Sequence, residues 1–239
     1  MKLLIITGGS RGLGKQICEL ADKEQWLVCE LSRSGTAEGS IYCDLSNSAD
    51  GLELARDCIS ELATDEYEEI RVILNAGTVS PIGLLEDLCD DEIVNGISAN
   101  ITGSVLLVSH ILREFKNHTG KKMIVQVSSG AALHGTAGWS LYCLAKAGME
   151  NFLRSIAEEQ AMAEFPFSTL IFDPGVMDTE MQEEIRSCPH EQFPGVERFI
   201  GLKASGFLRN PGIVADLLWK RLRSPFQAAL RIQISELLD

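Results

Sequence analysis

Tyr142 and Lys146 stand four residues apart, and Ser129 lies thirteen residues before the tyrosine. On a helix, positions i and i+4 share a face, so the phenol and the ammonium can enter one pocket together. A cation beside a phenol favours the phenolate. The spacing therefore predicts a Tyr142 pKa below the ordinary value of about 10, nearer to what a general acid needs at working pH. A serine hydroxyl at the same place would add a neutral donor for a carbonyl oxygen becoming an alkoxide, with no metal required. A Tyr and a Lys four apart also occur on ordinary solvated helix faces, so the elements around the triplet must decide.

Those elements alternate. Residues 2–7 form a continuous apolar run, the pattern of a strand buried on both faces. Glycines 8, 9, 12 and 14 follow, and then Leu13, Ile17, Leu20 and Ala21 recur at helical spacing. Further strands are expected at 26–31, 41–43, 71–74, 123–127, 167–172 and 229–234, and helices at 52–62, 90–116, 140–164 and 213–222. The βαβα order predicts the α/β class: a Rossmann-type doubly wound parallel sheet of about seven strands, with helices on both faces. No linker, repeat or low-complexity tract interrupts it, so residues 1–239 are expected to form one domain that both binds a dinucleotide and carries the catalytic residues. The weakly periodic stretch 176–206 is expected to be a substrate-covering loop with one or two short helices.

Composition narrows the partners. Of the 239 residues 45% are hydrophobic and 23% charged, ordinary for a globular chain. A net charge of -13 disfavours nucleic acid and anionic membranes, and the basic clusters Lys121-Lys122 and Lys220 to Arg223 are too short to reverse this. The cysteines, at 18, 29, 43, 58, 89, 143 and 188, are odd in number and never spaced C-x-x-C. They read as reduced thiols in a cytoplasm rather than a disulfide framework or zinc site. Histidines 110, 118, 134 and 190 show no metal-binding spacing, so no metal is expected. No run reaches the roughly 18 apolar residues of a membrane span, so a soluble cytoplasmic protein is expected.

The stretch from Thr7 to Gly14, placed between a strand and a helix, has the features of a pyrophosphate cradle. Glycines let the backbone turn tightly and approach the phosphates, and the helix N-terminus offers unpaired N–H groups. Ser32-Arg33 ends the second strand where an acid would hold the ribose 2′-hydroxyl of NAD. A guanidinium there suits a 2′-phosphate, and Arg11 could add a second positive charge, so NADP(H) is expected over NAD. Asp44 could accept from the adenine amino group or simply cap a helix.

In this order and spacing the chain resembles the short-chain dehydrogenase/reductase family of the common, single-domain type. The matching positions are Thr7-Gly8 with Gly12 and Gly14, Asp44-Leu45, Asn75-Ala76-Gly77, Asn100, Ser129, Tyr142 with Lys146, and Asp173-Pro174-Gly175 followed by Thr179. Leu74 departs from the asparagine often found there. The resemblance implies a tetrad: Tyr142 donates the proton, Ser129 positions the carbonyl oxygen, Lys146 binds the nicotinamide ribose and depresses the tyrosine pKa, and Asn100 holds a relay water. It implies cofactor contacts from Thr7, Gly8, Ser10, Arg11, Gly12, Leu13, Gly14, Ser32, Arg33, Asp44, Leu45, Asn75, Ala76, Gly77, Tyr142, Lys146, Pro174, Gly175, Val176 and Thr179. Residues 76–83 and 173–182 look most like the sepiapterin reductase and benzil reductase branch, whose members reduce ketones and vicinal dicarbonyls with NADPH. Sepiapterin reductases use an aspartate near the C-terminus for the pterin, where this chain has Arg231 and Gln233.

Leu133, His134 and Trp139 are expected on the substrate side with Ser129 and Tyr142, an aromatic there suiting a flat ketone. Cys143 reads as packing. The expected function is NADPH-dependent reduction of a small ketone or vicinal diketone. The alternatives are a 3-oxoacyl-carrier-protein reductase, which the acidic surface disfavours, and a non-enzymatic NADPH-binding sensor. By the same resemblance, helices at 90–116 and 140–164 imply a homodimer or homotetramer.

Overall fold

The computed structural model describes residues 1–35, 39–47 and 50–238. Its strands are β1 (Lys2–Thr7), β2 (Leu27–Ser32), β3 (Ser40–Tyr42), β4 (Glu69–Leu74), β5 (Lys121–Val127), β6 (Phe167–Asp173) and β7 (Leu230–Gln233). They form one seven-stranded sheet in the order β3-β2-β1-β4-β5-β6-β7, and every pairing is parallel. This is the doubly wound α/β architecture expected from the alternation of elements.

The helices are α1 (Gly12–Lys23), α2 (Glu53–Leu62), α3 (Asp90–Ile97), α4 (Gly103–Glu114), α5 (Ser140–Gln160), α6 (Glu180–Arg186), α7 (Val196–Ala204) and α8 (Pro211–Arg221). Alternation along β1 builds two cores. Leu3 and Ile5 pack with Ala55 and Ile59 of α2, Leu107 and Ile111 of α4, and Leu153 of α5. Leu4 and Ile6 pack with Leu13 and Ile17 of α1 and Val214 and Leu218 of α8.

Two expected helices differ. The stretch 90–116 is α3 and α4 joined by a π-helical turn, Ser98–Thr102, because the Asn100 amide donates to the Thr78 carbonyl (3.0 Å) and to the Gly96 carbonyl (3.2 Å). Helix α5 stops at Gln160 instead of 164, because the Gln160 side-chain carbonyl accepts the Phe167 N–H at 3.0 Å and the chain must turn to β6.

Strand order reverses at the β1/β4 boundary, so a crevice opens over the carboxyl ends of these strands, where this architecture binds ligands. Helices α6 and α7 border it. Ile185, Phe193, Val196 and Phe199 pack there against Val79, Ala131, Trp139 and Tyr142 in a third apolar cluster.

Candidate active site

The crevice is a cleft of about 1780 Å³. On one wall the glycine turn is built by close approach. Gly8 and Gly12 take φ values of +69° and +54°, and a Cβ on Gly14 would fall 2.2 Å from the Gly8 carbonyl oxygen. Thr7 is buried, and its hydroxyl accepts the N–H of Asn75 (3.1 Å) and of Ala76 (3.0 Å). The Asn75 amide donates back to the carbonyls of Thr7 (3.2 Å) and Gly8 (2.9 Å), joining the end of β4 to the turn. Gly8, Ser10, Arg11, Gly12, Leu13, Ser32, Arg33, Asp44, Leu45, Asn75, Ala76 and Gly77 all line the cleft. Thr7 and Gly14 do not; they lie beneath it and shape the backbone.

Glu30, which the sequence reading passed over, anchors this wall. It is buried on β2, accepts the Gly9 N–H at 2.8 Å, and takes the Ser32 hydroxyl at 3.1 Å on its other oxygen. A lone acid in an apolar run was the available signal. Arg11, the N-cap of α1, makes no side-chain cap hydrogen bond, so the first-turn N–H groups remain for an anion. The Arg11 guanidinium pairs with Glu180, both well exposed. Asp44 accepts the Ser46 N–H (3.0 Å) and hydroxyl (2.6 Å), closing a local turn rather than capping a helix. Partial burial opposes its charge, yet the Ser46 bonds and the nearby Arg33 hold the carboxyl below its usual range. These residues fit a dinucleotide: a backbone cradle a Cβ would fill, an uncapped helix N-terminus and a cation at the end of β2.

On the opposite wall Ser129, Tyr142 and Lys146 come together. Ser129 lies two residues beyond β5 and caps a 3-10 turn, its hydroxyl accepting the Ala131 N–H at 3.2 Å. Tyr142 and Lys146 are both buried on the inner face of α5. The Lys146 ammonium donates to the Val127 carbonyl at 2.9 Å and sits 5.6 Å from the Tyr142 ring centroid. Burial pulls Lys146 down from 10.5 to about 8, against the opposing charges of Asp173 and Glu150. The expected lowering of Tyr142 is not what the structure shows. Burial pushes the phenol up to about 12, outweighing the Ser129 hydroxyl that favours the phenolate, and the Asp173 charge adds to the rise. The ammonium is engaged by Val127 rather than by the phenol, which explains the difference.

Asn100 stands one layer behind the cleft. Its amide oxygen accepts the Thr78 N–H at 2.9 Å. A Cβ on Gly77 would lie 3.3 Å from that oxygen and 3.5 Å from the Lys146 nitrogen, so the glycine keeps both polar groups around one small gap. Beyond them the Asp173 carboxylate accepts the Gly175 N–H at 2.9 Å, Gly175 takes φ +66°, and Pro174, Gly175, Val176 and Thr179 line the cleft.

Trp139 lines the cleft edge-on to Tyr142, with ring centroids 5.4 Å apart, and stacks on Phe193 at 4.7 Å. His134 lines the mouth, whereas Leu133 is 55% exposed and lies off the cleft, contrary to the reading of it as substrate-facing. The Cys143 thiol donates to the His134 carbonyl at 3.5 Å and packs beside the aromatic cluster. Gln233 reaches the cleft, while Arg231 turns beneath it into ion pairs with Asp173 and Glu150, a network the sequence reading also missed. Among the described residues no cluster of three or more His, Cys, Asp or Glu could hold a metal ion, and no helix is long and apolar enough to cross a membrane.

A parallel doubly wound sheet with a glycine turn at its switch point and a Ser, Tyr, Lys group opposite defines an oxidoreductase of the nicotinamide-using kind, acting between C=O and CH–OH. Comparison with known proteins agrees: the short chain dehydrogenase profile matches residues 2–189, and the chain belongs to that family. It is 37% identical, over the full length of both chains, to a benzil reductase ((S)-benzoin forming) of Bacillus subtilis. It is 33% identical to the enzyme of the same description from Bacillus cereus, over 91% of this chain and 92% of that one. Among solved structures, that of the KRED1-Pglu enzyme superposes with a TM-score of 0.82 at 25% identity, covering 97% of this chain and all of the other.

Proposed function

We propose that this protein is an NADPH-dependent carbonyl reductase acting on a small ketone or vicinal diketone, with Tyr142 as general acid. The observation that carries the reading is the convergence of Ser129, Tyr142 and Lys146 on the cleft wall facing the glycine turn. A nicotinamide bound in the cleft would supply the hydride. Tyr142 gives its proton to the carbonyl oxygen, and Ser129 donates to the same oxygen and orients it. Lys146 holds the nicotinamide ribose, and its charge beside the phenol offsets the phenolate that proton donation leaves. Asn100 holds the water through which the proton is replaced.

Arg33 supports NADPH over NADH: it lines the cleft at the end of β2, whereas the acid of that strand, Glu30, is turned inward and occupied by Gly9 and Ser32. The substrate class follows from the aromatic wall of Trp139, Phe193 and Phe199 beside Tyr142 and from the likeness to benzil reductases; residues 176–206, with α6 and α7, serve as the substrate loop of a single domain. His134 and Trp139 contact that substrate. A homodimer or homotetramer through α4 and α5, in a reducing cytoplasm, completes the proposal; Leu144 on α5 is 51% exposed and available to an interface. The test is turnover of a diketone panel that includes benzil with NADPH and with NADH. Reduction with NADPH preferred supports the reading, and binding of NADPH with no turnover of any carbonyl refutes it.

A further inference from the structure

Under the cleft floor lies a buried charge network that the proposed chemistry leaves unused. Arg231, on β7, places Nη2 2.9 Å from Asp173 Oδ2 and Nε 2.9 Å from Glu150 Oε1, and donates to the Ser129 carbonyl at 3.4 Å. Glu150 also accepts the Ser128 hydroxyl at 2.6 Å and Arg154 at 2.9 Å. Both carboxylates are only 2% exposed. Ions at that depth lose to desolvation much of what they gain from one another, so stability alone is a poor reason for them. Their placement supplies another reason. Ser128 precedes Ser129, Glu150 follows Lys146 by one turn on the same face of α5, and Asp173 holds the Gly175 N–H through its second oxygen.

We infer that Arg231 is a positioning residue for the reaction: one guanidinium from the last strand locks the Ser129 segment, the Lys146 helix and the Asp173–Gly175 turn into a single register. The inference rests on the reductase reading for its activity readout. It also fixes the charge balance under Lys146. The titratable groups around that lysine are Tyr142 and Glu150 from α5 and Asp173 from β6, with Arg231 of β7 and Arg154 of α5 behind the carboxylates; Ser129, in the turn after β5, and Asn100, in the π turn, are neutral. Removing the guanidinium leaves Asp173 without its cation and Glu150 with Arg154 alone, and raises the Lys146 pKa. Removing the Glu150 charge lowers it.

The experiment compares wild type with Arg231→Gln, Arg231→Lys and Glu150→Gln, measuring kcat and KM against pH together with the Lys146 titration by NMR of isotope-labelled lysine. Arg231→Gln is expected to lower kcat on the order of 100-fold through misplacement, to leave KM for NADPH nearly unchanged, and to move the alkaline limb upward. Glu150→Gln moves the limb downward, and Arg231→Lys returns it toward wild type with part of the turnover. Shifts of the same sign in Arg231→Gln and Glu150→Gln, or a folded Arg231→Gln with wild-type kcat and limb, overturn the inference. If Arg231→Gln does not fold, an unmoved Lys146 titration in the near-isosteric Glu150→Gln overturns it just as well, and a downward shift supports it. A wild type that reduces no carbonyl yet shows opposite Lys146 shifts in the two variants refutes the reductase reading and supports the network.

Discussion

Replacing Lys146 by methionine is expected to make the protein more stable while abolishing turnover. The ammonium is 7% exposed, and burial lowers its pKa from 10.5 to about 8. At about 1.4 kcal/mol per tenfold change in proton affinity, holding it charged in the folded state at neutral pH costs about 3 kcal/mol. Methionine fills a similar volume without that cost. The Val127 carbonyl that loses the ammonium keeps the Gln126 amide as a donor at 2.9 Å, so no buried acceptor is orphaned. A gain of about 1 to 3 kcal/mol should raise Tm by roughly 2 to 12 °C for a chain of this size. The pH dependence has a definite sign. Between pH 8 and 10.5 the unfolded chain still binds the Lys146 proton and the folded one does not, so wild-type stability rises with pH across that window. The advantage of Lys146→Met is therefore full below about pH 8 and gone above about 10.5. Urea melts of both ligand-free proteins across this range measure the difference directly. A variant that is less stable at neutral pH, or a gap that does not change with pH, would show that the buried ammonium does not cost the fold stability.

Thr7→Val keeps the shape of the side chain but leaves the part-buried Ala76 N–H without its acceptor, at a cost of about 1 kcal/mol. A denaturant melt should show that loss, and titration with NADPH should show weaker binding as the end of β4 loosens from the glycine turn. Arg33→Ala is expected to weaken NADPH binding by about tenfold or more and leave NADH nearly unaffected, since a charged hydrogen bond to a 2′-phosphate contributes about 1.5 to 3 kcal/mol; equal effects on both cofactors would remove Arg33 from that role.

Much of this was readable in the sequence, for physical reasons. The apolar run of β1, with Gly8, Gly12 and Gly14 behind it, admits few arrangements other than a buried parallel strand entering a tight turn. The four-residue spacing of Tyr142 and Lys146 brought both onto the inner face of α5. What escaped depends on side-chain contacts between distant segments. The π turn at Ser98–Thr102 arises because Asn100 bonds to Thr78, a residue on another loop. Glu30 is an ordinary strand residue until Gly9 is folded against it. Arg231 stood out only as one of two residues where sepiapterin reductases have an aspartate, because nothing local says that Glu150 and Asp173 will meet it. The direction of the Tyr142 pKa failed similarly: spacing places the lysine, but burial decides the proton affinity.

In the proposed mechanism Tyr142 delivers the proton while the cofactor site stands independently of it. Tyr142→Phe, assayed with NADPH and a diketone that the wild type reduces, tests both at once. It is expected to bind NADPH as the wild type does and to lose turnover by about 100- to 10,000-fold, the range for removal of a general acid. Turnover close to wild type in that variant would contradict the account.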